Sequence, residues 1–142
     1  MEFHKILVPV VGTKADEEAI RLACVLAKKS KGKIRAVYVI TIKRTLPLDA
    51  EIQPAIIQAE DSLDRIASIA EEEGCEIDTD LLQAREVGPT IVDEAAERGA
   101  DLIVMGVPYK TVFGQFSLGD VLPYVLQHAP CRVLLYHQPF TE

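Results

Sequence analysis

Residues 5–41 read KILVPVVGTKADEEAIRLACVLAKKSKGKIRAVYVIT, an apolar run, a helical stripe and a second apolar run in succession. A continuous run rich in Val and Ile and closed by Gly12 is the pattern of a strand buried on both faces, so residues 5–11 are predicted as a central strand. Pro9 has no N–H for a ladder and belongs near the end of that strand, where pairing stops. Thr13 fits a helix N-cap with Asp16 at N3 as its acidic partner, and Asp16, Glu17 and Glu18 suit the positive end of the helix dipole. Ala15, Ala19, Leu22, Ala23 and Leu26 recur at three and four, and Lys28, Lys29 and Lys31 before Gly32 close the helix near Lys29. Residues 33–41 then form a second strand, with Val37, Tyr38, Val39 and Ile40 as its buried stretch.

The same alternation continues outward. A loop around Pro47 and Pro54 is followed, from about Ala50 to Glu73, by Ile52, Ile56, Ala59, Leu63, Ile66 and Ala70 on one amphipathic stripe that Gly74 ends. That stripe is too short for a coiled coil and suits packing on a sheet. Residues 76–83 alternate weakly, as an edge strand does. Gly88-Pro89-Thr90 opens a helix to about Arg98, Gly99 closes it, and residues 101–105 are a short buried strand. A glycine-bearing loop runs from Gly106 to Gly119. In residues 120–128 Val121, Leu122, Val125 and Leu126 share a helical face, with Pro123 confined to the first turn. Residues 131–136 are the last strand. Alternating strands and helices imply parallel strands joined by right-handed crossovers, a doubly wound α/β sheet. Such sheets bind ligands beyond the carboxyl ends of their strands. Gly12-Thr13, Lys43-Arg44, Arg85 and the loop from Gly106 fall on that edge.

The 142 residues suit one domain spanning 1–142. Apolar residues at 49% and charged residues at 26% are the balance of a chain that folds. A formal charge of -7 argues against a broad grip on nucleic acid or anionic lipid. Cys24, Cys75 and Cys131 are far apart and form no CxxC pair, which suggests neither a disulfide framework nor zinc and points to the reducing cytoplasm. The apolar run after Lys5 is too short for a signal peptide core or a membrane span. No Walker loop, GxGxxG, GxSxG or HExxH is present. His4, His128 and His137 are dispersed, His128 sits where a helix end explains it, and Cys131 reads as a small core residue rather than a nucleophile. The pattern therefore offers no catalytic residue and no metal ligand set.

Three blocks carry a resemblance: the opening KILVPVVGT with its acidic turn, the segment REVGPTIVDEAAERGADLIVMG, and the ending HAPCRVLLY. Through them the chain resembles the universal stress protein family of UspA type over essentially its whole length. The resemblance implies a five-stranded parallel sheet in the order 3-2-1-4-5, the adenine nucleotide alpha hydrolase-like arrangement. It also implies a homodimer paired through the last strand, Arg132 to Tyr136, an outcome that an unpaired apolar strand edge favours. Nucleotide contacts carried over from the family would fall at Pro9, Val10, Val11, Val39, Met105, Gly106, Tyr109, Gly119, Asp120 and Val121.

The sequence departs from the ATP-binding branch at telling places. That branch carries G-x2-G-x9-G-[S/T], in which glycines let backbone amides reach phosphates and a hydroxyl at a helix start donates to them. Here the positions are Gly106, Tyr109, Gly119 and Asp120. Tyr109 puts a ring where backbone would approach the triphosphate, and its bland role is to pack over a closed site. Asp120 puts a carboxylate at a helix N-terminus, where its bland role is an N-cap and its sharper one a magnesium ligand. Val11 replaces the acidic residue that usually follows the first strand's Pro-Val. A carboxylate about 4 Å from one phosphate charge costs up to ~4 kcal/mol at an effective dielectric near 20, roughly a thousandfold in affinity. The expected function is a dimeric regulatory or ligand-sensing module without a cofactor, its ATP binding weakened or lost. The alternative is an ATP-binding member, with magnesium and at most slow hydrolysis. Lys43, Arg44, Arg85 and Lys110 would give either one a locally positive edge for an anion, unless they are only solvated surface charges. A partner protein is a third expectation.

Overall fold

A computed structural model describes residues 1–109, 111–112, 115–116 and 119–139, of which 111–112 and 115–116 are described as backbone. Its elements are β1 (Lys5–Val10), α1 (Lys14–Ser30), β2 (Lys33–Thr41), α2 (Gln53–Glu72), β3 (Ile77–Ala84), α3 (Val87–Arg98), β4 (Leu102–Val107), β5 (Thr111–Val112), β6 (Gln115–Phe116), α4 (Val121–His128) and β7 (Arg132–His137). The main sheet has the order β3-β2-β1-β4-β7 and is parallel throughout, which is the expected 3-2-1-4-5 arrangement once β7 is counted as the fifth strand. This is the adenine nucleotide alpha hydrolase-like fold.

The period of two along each strand sorts side chains to two cores. Ile6, Val8 and Val10, with Ile34, Ala36 and Val104, pack under Ala19, Ile20, Ala23 and Cys24 of α1 and Leu63, Ile66 and Ala70 of α2. Leu7, Val37, Ile103, Met105 and Val107 face the other way, against Ile91 and Ala95 of α3 and Leu122 and Val125 of α4. Continuous apolar runs are thus explained by burial on both faces. The β1–β4 ladder is short, pairing Ile6 with Leu102 and Leu7 with Ile103. It stops before Pro9, while on the other side Pro9 remains in register with Val37 of β2. Asp101 clips the amino ends of these strands together, its carboxylate accepting from His4 N at 2.8 Å and Lys5 N at 3.2 Å.

Several boundaries differ from the sequence reading. Pro54, expected in a loop, stands in the first turn of α2, where its missing N–H has no partner to lose. Lys31 takes the left-handed conformation that ends α1, at φ 54°. Gly32 serves close approach instead, because a Cβ there would lie 2.4 Å from the carbonyl oxygen of Phe3. β4 extends through Gly106 and Val107, and the following loop contains the antiparallel pair β5–β6. Leu126, placed by the helical stripe on the packed face of α4, is 50% exposed, because α4 spans only residues 121–128 and buries Leu122 and Val125 alone.

Candidate functional site

The carboxyl ends of β1 and β2 and the first turns of α3 and α4 enclose a cleft of about 180 Å³, lined by Pro9, Val10, Val11, Val37, Tyr38, Val39, Val87, Ile91 and Val121. Of the ten residues expected at the site, the cleft gathers Pro9, Val10, Val11, Val39 and Val121. Its walls are almost wholly aliphatic, so the hydrophobic effect and dispersion would hold a flat, weakly polar group there.

The other expected residues lie apart from the cleft lining. Met105 is 6% exposed and belongs to the core beneath α4. Gly106 is pressed against α1, where a Cβ would stand 2.4 Å from the carbonyl oxygen of Ala15, so helix packing already accounts for this glycine. Tyr109 is exposed and meets the His137 ring edge-on, with centroids 6.5 Å apart, which sets it beside the end of β7 rather than in the cleft lining. Gly119 has φ 70°, and a Cβ there would meet no described atom within 4 Å. Asp120 occupies the N-cap position of α4, but its side chain makes no capping hydrogen bond and is exposed. Its carboxylate therefore adds negative charge at the helix start without satisfying the amides there.

The β1–α1 turn is organised from within. Asp16 is 2% exposed, and its Oδ2 accepts from the backbone N–H groups of Val11 at 3.1 Å, Gly12 at 2.7 Å and Thr13 at 3.1 Å. Sequence spacing placed Asp16 as a box partner to Thr13 alone; the left-handed Gly12, at φ 90°, brings two more amides to it. These donors are committed to a carboxylate of the chain itself and not to an incoming anion. Burial pushes the Asp16 carboxyl above its usual range, and the three N–H donors pull it back only in part. Tyr38 stands nearby, its phenol pushed up by burial and then by the Asp16 charge. A Cβ on Gly12 would lie 4.0 Å from the Tyr38 hydroxyl, 3.4 Å from Ser62 Oγ and 3.9 Å from Gln58 Nε2. This polar group behind the turn escaped the sequence reading. The one available signal was a phenol and a serine inside otherwise apolar patterns.

The expected cationic edge is dispersed. Arg85 Nη1 donates to the carbonyl oxygens of Ile42, Lys43 and Leu46, stapling the chain that leaves β2. Lys43 and Arg44 are exposed. Lys110 lies outside the described residues. A larger cleft, about 260 Å³, lies at the opposite, amino end of the sheet and is lined by Lys5, Leu7, Lys33, Arg35, Asp78 and Arg98 among others. Its arginines are already answered, Arg35 by Asp80 at 3.1 Å and Arg98 by Glu94 at 3.2 Å. His128 stacks on Tyr124 at 4.1 Å, and its Nδ1 lies 3.0 Å from the Tyr124 carbonyl oxygen at the end of α4. Burial, and then the charge of Asp101, push the Cys131 thiol up. Among the described residues no three His, Cys, Asp or Glu side chains are grouped to hold a metal, and no helix is long and apolar enough to cross a membrane.

Comparison with known proteins extends this picture. The universal stress protein family pattern matches residues 2–137. A universal stress protein of Methanocaldococcus jannaschii is 32% identical in an alignment covering 99% of this chain and 85% of that one. The solved universal stress protein of Archaeoglobus fulgidus superposes with a TM-score of 0.75 at 27% identity, covering 95% of this chain and 94% of its own. An Archaeoglobus fulgidus universal stress protein solved in complex with dAMP gives 0.76 at 25% identity, covering 95% and 98%. With nearly the whole chain matched and the sheet order in agreement, this protein belongs to the universal stress protein family.

Proposed function

We propose that this chain is a regulatory or ligand-sensing universal stress protein, without catalysis of its own, whose grip on ATP is weak. The observation that carries the reading is Asp120, an exposed carboxylate at the start of α4 that makes no capping bond. By family resemblance this position carries the hydroxyl that donates to phosphate, and a carboxylate there repels the same phosphate. Commitment of the Val11, Gly12 and Thr13 amides to Asp16 supports the reading from the other side of the cleft. Lys43 and Arg44 supply only exposed charges, which salt screens.

The aliphatic cleft favours a second reading, an adenine-nucleotide binder in which the base makes most of the contact. The relative solved with dAMP supports it. In both readings the molecule works as a homodimer through β7. This strand is the outer edge of the sheet and exposes Leu134 and Leu135 at 37% and 40%.

Calorimetric titration with adenosine, AMP and ATP, each with and without magnesium, separates the readings. Weak regulatory sensing predicts affinity that falls as phosphates are added. ATP binding at least as tightly as adenosine, and more tightly with magnesium, would reverse the preference and make Asp120 a magnesium ligand.

A further inference from the structure

The sequence holds its cysteines far apart, but the fold joins two of them. Cys24 lies on the buried face of α1 with no exposed surface, and Cys75 follows the Gly74 turn that leaves α2. The Cys75 N–H donates to Ala70 O at 2.8 Å, which fixes its backbone, and its Sγ donates to the carbonyl oxygen of Cys24 at 3.5 Å. That bond sets the Cys75 sulfur beside the residue of α1 that carries the second thiol. Cys75 is half-buried, whereas Cys24 is fully buried.

We propose that Cys24 and Cys75 are a peroxide-oxidisable pair that closes to a disulfide tying α1 to the turn between α2 and β3. The Cys75 thiolate attacks one oxygen of hydrogen peroxide, forming an S–O bond as the O–O bond breaks. The second oxygen leaves with a proton as water, the sulfur has given up two electrons, and a sulfenic acid remains. Cys24 then gives up its proton and attacks the Cys75 sulfur. The S–S bond forms, the S–O bond breaks, and the leaving hydroxide takes a proton to become a second water. Two thiols and one peroxide thus give one disulfide and two waters. Burial, and then the neighbouring Cys75, push the Cys24 thiol up to about 12, so closure is slow at neutral pH and quickens with alkalinity.

The test treats the intact folded protein with a mild excess of hydrogen peroxide, alkylates the remaining thiols, and maps peptides without reduction. A peptide joining Cys24 to Cys75 is expected, with Cys131 still alkylated, and dithiothreitol should reverse it. The rate should rise about tenfold from pH 7 to pH 8. Cys75→Ser should abolish the link, and Cys131→Ser should leave it intact. Cys24→Ala should leave a sulfenic acid at Cys75 that dimedone traps; if that variant fails to fold, Cys75→Ser carries the test. All three cysteines remaining alkylatable, over-oxidation of Cys75 without a link, or a link through Cys131 would each overturn the proposal.

Discussion

At the scale of single residues, two aspartates at the carboxyl edge act in opposite ways. Asp16 holds a turn together through three backbone amides, whereas Asp120, on the function proposed above, would repel an anion at the start of α4. Replacing Asp120 by Ser restores a hydroxyl donor and removes a charge. Because the carboxylate is exposed, only part of the ~4 kcal/mol available at 4 Å survives screening, and about a tenfold gain in ATP affinity is expected. Adenosine affinity should stay unchanged, and calorimetric titration of the variant reads both. Asp16→Ala strands three amides and should cost about 2–4 kcal/mol in urea unfolding. The pH dependence follows from the direction of the Asp16 shift. Its folded carboxyl binds protons more tightly than the unfolded one at 3.8, so stability contributed by this group grows as pH falls from the folded pKa towards 3.8 and is flat above it. Compared with Asp16→Asn, which keeps the acceptor and loses the charge, the parent protein should gain relative stability between pH 7 and pH 4. A constant difference across that range would contradict the burial argument.

At the scale of elements, the chain's local chemistry was legible where it served local structure. The acidic first turn of α1, the left-handed Gly99 after α3 and the alternation that buries β1, β2 and β4 on two faces could be read from spacing. What could not be read is where the exits of these elements are fastened. Arg85 looked like a ligand for an anion because it follows a strand, yet it staples the loop after β2 through Ile42, Lys43 and Leu46. Arg85→Met should therefore raise hydrogen exchange and proteolysis at Lys43 and Arg44 severalfold, with little change in ligand affinity. Gly106 looked like a phosphate-loop glycine, whereas the closeness of Ala15 explains it without a ligand. Gly106→Ala should cost about 1–3 kcal/mol in urea unfolding, because backbone on both sides must shift.

At the scale of the whole molecule, a sheet with helices on both faces leaves β3 and β7 as its two edges. β7 presents Leu134 and Leu135 outward, and that edge is where a second copy is expected to pair. Leu135→Lys should shift the mass seen by light scattering from dimer to monomer while leaving the circular dichroism unchanged. A variant that stays dimeric would send the search to another surface. The excess of negative charge disfavours a broad electrostatic grip on nucleic acid or anionic lipid, and both clefts are lined from stretches far apart in sequence.

The sequence by itself determined the class of fold, the order in which strands and helices follow one another and the family, because these depend on periodicity, capping and motifs within short stretches. It also led to the expectation of a ligand at the carboxyl edge, where five of the ten residues named line one cleft. Only the tertiary structure decided the rest. Tyr38 of β2 and Val87 and Ile91 of α3 complete the cleft walls from two separate stretches, Asp16 takes three backbone amides at once, and Cys24 meets Cys75 across 51 residues. Each of these depends on distances between elements, and such distances are set by the packing of two helix layers on one twisted sheet, which no local pattern encodes.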